Sequence, residues 1–171
     1  MKKIMITALL ALFLSGCDNS PPAPYGFKWG QSMEEVKALN LKDTTCYSSS
    51  CFFKQTPDKN NNFTTMAIFD DKKGLFYISH VDDLNIEGIT RKEVLQRFEV
   101  ASKKLEEKFG KPINSVSKID DEINFVACLE EQNCSDISQE YDNENGYNAR
   151  LKLKSIKGQI YIETEYGRKI N

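Results

Sequence analysis

The chain is poor in the residues that most often announce chemistry. Of 171 residues one is histidine and one is tryptophan, so no histidine-built metal centre can be assembled. Neither a Walker loop, a dinucleotide fingerprint nor a Gly-x-Ser-x-Gly elbow occurs. There is no run of five Lys or Arg, and 23 Lys+Arg against 25 Asp+Glu give a net charge of −2. That balance lacks the basic footprint of a nucleic-acid binder, so the reading is no nucleic acid. Apolar runs are short as well. The longest, residues 4–14, is about half of the roughly 20 residues a membrane-spanning helix needs. What is present is ordinary for a folded protein: 40% hydrophobic, 11% aromatic and 28% charged residues, enough to build a core.

The N-terminus reads as an address. Lys2 and Lys3, the apolar run 4–14 and then Ser15-Gly16 have the layout of an export signal. Leu14-Ser15-Gly16-Cys17 resembles the lipobox of bacterial lipoproteins. The resemblance implies cleavage of residues 1–16, a diacylglycerol on the Cys17 sulfur and an acylated amino group. The partner on that side is then the membrane, held through two or three acyl chains, since each buried methylene adds about 0.8 kcal/mol. Cleavage leaves 21 Lys+Arg against 25 Asp+Glu, a net of −4, so the body of the protein is repelled by acidic headgroups. By the same resemblance, to enterobacterial lipoproteins, Asp18 and Asn19 imply retention in the inner membrane rather than the outer. The other reading of these two is plain polar linker. Residues 17–24, with Pro21, Pro22 and Pro24, form a proline-rich tether, extended at about 3.1 Å per residue. The expected organisation is a signal over 1–16, the tether, and a periplasm-facing domain over 25–171.

Export brings an oxidising compartment, and Cys46, Cys51, Cys128 and Cys134 remain once Cys17 is set aside. Three pairings exist. The local ones, Cys46 with Cys51 and Cys128 with Cys134, are favoured because each closes a short loop between strand-like segments. Zinc is disfavoured: neither spacing is Cys-x-x-Cys, and only His80 could join, so no metal and no cofactor is expected.

Tyr25-Gly26-Phe27-Lys28-Trp29 alternates and predicts a first strand with Tyr25, Phe27 and Trp29 on one face. That face is read as core, with a partner-binding aromatic patch as the sharper alternative. Two helix starts share a form, Gly30-Gln31-Ser32-Met33-Glu34-Glu35-Val36 and Gly88-Ile89-Thr90-Arg91-Lys92-Glu93-Val94, and each contains a capping box. The first helix is expected over 33–41 and the second over 91–109, stopped by Gly110 and Pro112. Strands are expected at 63–69, 75–81, 115–119, 123–128, 147–156 and 159–166. Helices that precede runs of strands point to an α+β fold, an antiparallel sheet against two helices, as two helix-plus-meander units over about 25–86 and 87–171. The two helix starts and Phe109-Gly110-Lys111-Pro112 resemble small exported domains of the SmpA/OmlA and β-lactamase-inhibitor-protein type. That resemblance implies a binding scaffold with no catalytic residues.

The search for chemistry returns little. His80 lies in a strand beside Asp82 and Asp83 and reads as a hydrogen-bonded structural histidine. Ser115-x-x-Lys118 falls in a strand, where the two side chains point apart. Asp142-Asn143-Glu144-Asn145-Gly146 lacks EF-hand spacing and reads as a turn. No catalytic residue is assigned. The sequence therefore favours a non-enzymatic protein-binding module of the cell envelope, anchored in the inner membrane, with a protein partner. An immunity or inhibitor lipoprotein that neutralises a toxin or hydrolase is the alternative, and a cryptic hydrolase the second.

Overall fold

The computed structural model describes residues 22–59, 64–84, 86–131 and 133–169. Among them three helices, α1 (Met33–Lys37), α2 (Arg91–Phe109) and α3 (Phe125–Glu130), accompany an eight-stranded sheet. The strands are β1 (Thr45–Tyr47), β2 (Ser50–Phe53), β3 (Thr64–Asp70), β4 (Gly74–Asp83), β5 (Asn114–Ile119), β6 (Ser135–Asp142), β7 (Tyr147–Ile156) and β8 (Gln159–Arg168). Every pairing is antiparallel, in the order β1-β2-β3-β4-β8-β7-β6-β5. The α+β expectation holds at that level; the helices number three, not two. No helix among the described residues is long and apolar enough to cross a membrane.

Both capping boxes are present. The Ser32 hydroxyl accepts from the Glu35 amide while the Glu35 carboxylate accepts from the Ser32 amide, and Thr90 and Glu93 repeat the arrangement. Helix α2 then runs as expected, with Val94, Phe98, Ser102 and Leu105 buried at i, i+4, i+8 and i+11. Helix α1 stops short of the expected Leu41. Leu39 is exposed and Asn40 turns into the left-handed region at φ 49°, so no apolar stripe carries the helix on.

Three local expectations are corrected. Residues 123–128 are not a strand: Phe125, Cys128 and Leu129, the buried residues of α3, stand at helical i, i+3, i+4 spacing. Strand β6 was not expected, because only Ile137 and Tyr141 supply buried large apolar side chains and the residues between are polar. Residues 25–29 are not a strand either. A single 3-10 turn, Pro24–Gly26, places Tyr25 at φ 61°, a left-handed conformation that costs an L-residue about 1 kcal/mol.

Registers divide the sheet into two faces. Cys51, Phe53, Ala67, Ile78, Leu151, Leu153, Ile162 and Tyr166 are buried on the covered face. Helices α2 and α3 pack over β6 and β7 there. Over the first strands the cover is residues 22–32, with Val36 of the neighbouring α1 also buried. Phe27 meets Phe53 at 5.6 Å between ring centroids, and Trp29 stacks on Tyr147 at 5.8 Å. Gly30 and Leu75 fasten this segment to β4 through Gly30 N–H to Leu75 O (2.9 Å) and Leu75 N–H to Gln31 O (2.8 Å). The approach is so close at Gly74 that a Cβ there would lie 2.2 Å from the Gly30 carbonyl oxygen.

Candidate functional site

A seam lies between the helical cover and the irregular one. Helix α2 flanks one side of the seam, the loop after β4 closes one end, and Tyr25 stands with the β4–β8 floor at the other. The result is a groove of about 850 Å³, within the range of ordinary ligand pockets.

Its floor follows from register. His80 opposes Thr164 and Asp82 opposes Ile162 across β4 and β8, so all four, with Tyr166, face the covered side. His80 is 3% exposed, and its Nδ1 lies 2.8 Å from the Thr65 hydroxyl on the neighbouring strand. The Tyr25 ring stacks on the imidazole at 4.1 Å and 22°, and meets Tyr166 edge-on at 5.9 Å. The Tyr25 and Tyr166 hydroxyls are hydrogen-bonded to each other. Asp58 N–H donates to the Tyr25 carbonyl (3.3 Å) and, with Gly26 packed on Pro57, holds the strained turn over the histidine.

Burial pushes the His80 pKa down to about 4, against a smaller opposing pull from Asp58, so the imidazole is neutral at pH 7. Burial raises both the Tyr25 and Tyr166 phenols. Burial also raises the Asp82 carboxyl, and Lys104 and Arg97 on the α2 flank recover only part of that cost. Five carboxylates line the groove, those of Asp82, Asp83, Glu87, Glu93 and Glu107, against the cations of Arg97, Lys104 and Lys108. Exposed Ile86 and Val100 add apolar surface at the rim. The imidazole is engaged by a core hydrogen bond and a ring stack, so the groove offers aromatic surface and charge more than a poised base. Among the described residues no three His, Cys, Asp or Glu side chains gather as a metal set.

Among the described residues no helix packs on the opposite face of the sheet, and its two halves differ. On β1–β4 it carries Tyr47 (66% exposed), Phe52 (37%), Met66, Ile68, Tyr77 and Val81. On β6–β8 it carries Glu140, Arg150, Lys152, Lys154, Glu163 and Glu165, partly paired as Lys154 with Glu163 and Arg150 Nε with Glu140 Oε1 at 3.5 Å. The halves are joined by Tyr77, which donates to Glu165 Oε1 at 2.7 Å, and Ser79, which donates to Glu163 Oε1 at 3.1 Å.

Of the residues singled out by sequence, Cys17, Asp18 and Asn19 lie outside the described residues. Cys46–Cys51 and Cys128–Cys134 are bonded as expected. The first joins β1 to β2, but the second ties α3 to the turn that precedes β6 rather than strand to strand. Phe27 (1% exposed) and Trp29 (4%) are core, so they form no exposed patch, and Tyr25 alone of the three reaches the groove. Asp82 was noted beside His80 but given no role, and Thr164 and Tyr166 were not singled out. A polar Thr164 at an inward position between Ile162 and Tyr166 was the signal available. No protein-family model, curated protein sequence or solved structure matches the chain.

Proposed function

We propose that this protein is a lipid-anchored, non-enzymatic protein-binding module of the bacterial cell envelope, facing the periplasm from the inner membrane and engaging its partner through the sheet face opposite the helices. The observation that carries the reading is the apolar half of that face, Tyr47, Phe52, Met66, Ile68, Tyr77 and Val81 on four adjacent strands. A contiguous apolar patch rimmed by charge is the usual mark of a protein contact, and Tyr and Phe are favoured at its centre. The charged half supplies register and orientation more than affinity. Two helix-plus-meander units side by side are the proposed origin of so broad a sheet. The strand order, with β1–β4 and β5–β8 each contiguous and joined at β4–β8, supports that reading. The anchor rests on Leu14-Ser15-Gly16-Cys17 and the retention on Asp18 and Asn19.

The test is crosslinking in intact cells from a photoreactive group at Tyr47, read by mass spectrometry. A stoichiometric protein partner is expected, lost in Phe52→Glu with the fold intact. Unchanged capture by Phe52→Glu overturns the docking face. A toxin or hydrolase as the captured partner assigns the inhibitor role within the same reading. Labelled palmitate that persists in Cys17→Ser removes the anchor.

A further inference from the structure

On the other face of the sheet, we infer that the groove between α2 and the β4–β8 floor binds an organic cation with an aromatic or alkyl body, its charged nitrogen seated on Asp82. Asp82 is partly buried in the floor, and among the described residues its carboxylate makes no hydrogen bond or ion pair, the backbone alone being paired, with Ile162. Lys104 and Arg97 act on it only through space, so a carboxylate that has lost part of its water shell is left without a contact partner. A ligand ammonium or guanidinium would supply that contact as a charge-assisted hydrogen bond.

The surroundings select the same chemistry. The lining carries two more carboxylates than cations, so an anion is disfavoured on entry. The Tyr25 ring stacks on His80, meets Tyr166 edge-on and is partly exposed among the residues that line the groove with Asp82, so it offers aromatic surface to a cation or a ligand ring. Ala101 and Leu105 of α2 and Ile162 of β8 provide apolar walls for the body of the molecule. The volume is ample for a ring with a short alkylamine arm. The left-handed turn at Tyr25 is held from outside the groove by the 56–59 loop, so the aromatic wall is preorganised rather than formed on binding.

The experiment is amide NMR of the full chain in detergent solution, titrated with 2-phenylethylamine and, in parallel, with 3-phenylpropionate as a shape-matched anion. The amine is expected to shift the Ala101 and Thr164 amides saturably, and the anion to leave them in place. Asp82→Asn should weaken amine binding at least tenfold. Val100→Lys, on an exposed position of the flank, should weaken it several-fold without touching the floor. Tyr47→Ala, on the opposite face, should leave it unchanged, so failure of the sheet-face reading and failure of this one are separable. A capped Phe-Arg dipeptide run alongside distinguishes the sources: tighter binding than the amine assigns a basic segment of a chain, weaker binding a free amine. Equal shifts from the anion, or unchanged affinity in both Asp82→Asn and Val100→Lys, overturn the assignment.

Discussion

Ser32 and Thr90 open their helices with the same reciprocal hydrogen bonds, yet α1 ends after five residues and α2 continues for nineteen. A capping box fixes where a helix begins; its length depends on whether apolar residues keep returning to the same face. In the second half Val94, Phe98 and Leu105 keep returning, and α2 covers β6 and β7. In α1 only Val36 is buried, and the cover passes to irregular chain carrying Phe27 and Trp29. The seam between a helical and an irregular cover is the groove. The groove thus lies where α2 and Tyr25 of the irregular segment flank the β4–β8 floor, and on the opposite face the apolar side chains lie on β1–β4.

If residues 22–32 do the work of a missing helix, a core side chain there should matter as much as one in α2. Phe27→Ala is expected to cost about 3–5 kcal/mol and Leu105→Ala about 2–5 kcal/mol, both read from urea unfolding midpoints at constant slope. A cost below about 1 kcal/mol for Phe27→Ala would mean that the first half is held by its strands alone.

The groove floor distinguishes the halves by pH. His80 has its folded pKa near 4, below the ordinary 6.5, so the unfolded chain takes up the proton first as pH falls. Its contribution is therefore full above pH 6.5 and is lost between about 6.5 and 4, with roughly 2 kcal/mol gone at pH 5. Asp82 acts in the opposite sense: its raised pKa lets the folded state bind a proton earlier, which adds stability as pH falls through that value. Stability curves for the native chain and His80→Gln should converge from pH 7 toward pH 5. Parallel curves would show that the imidazole is not held neutral by burial.

The two disulfides test whether the halves are braced alike. Each links cysteines five or six positions apart, a loop worth about 2 kcal/mol by loop entropy. Removing Cys46–Cys51 as a double alanine variant should loosen the β1–β2 edge, and removing Cys128–Cys134 should free α3 from the turn that precedes β6. The expected costs lie within about 1 kcal/mol of each other, measured by thermal unfolding at matched pH. A much larger loss for Cys128–Cys134 would make α3 a dependent element of the second half.

How much of this was legible varies with the kind of signal. Capping boxes, the α2 stripe and the long β7 and β8 alternations are local patterns, and the strands and helices they predict are present. Residues 25–29 alternate as a strand would, but Gly26 and the contact with 56–59 turn them aside, which depends on chain distant in sequence. Residues 125–130 form a short apolar run whose helical spacing competes with its β-favouring Phe125 and Val126. The groove was not legible, because its lining joins Tyr25, α2 and the loop after β4 to a floor that pairs β4 with β8 across some eighty residues of chain.

The smallest expected effect concerns the caps themselves. Thr90→Ala removes the acceptor for the Glu93 amide at the start of a long helix and should cost about 1 kcal/mol. Ser32→Ala removes the same bond from α1, where Val36 is the one buried residue of a five-residue helix, so less packing is lost when the first turn frays. Its cost should sit near the lower limit for such caps, about 0.5 kcal/mol. Hydrogen exchange then separates the cases: amides of the whole first turn of α2 should lose protection in Thr90→Ala, whereas in Ser32→Ala the loss should stay within α1 and leave Leu75, bonded to Gln31, protected. Equal costs, or exchange that spreads from α1 to Leu75, would make α1 part of the cover over β4 rather than a turn appended to it.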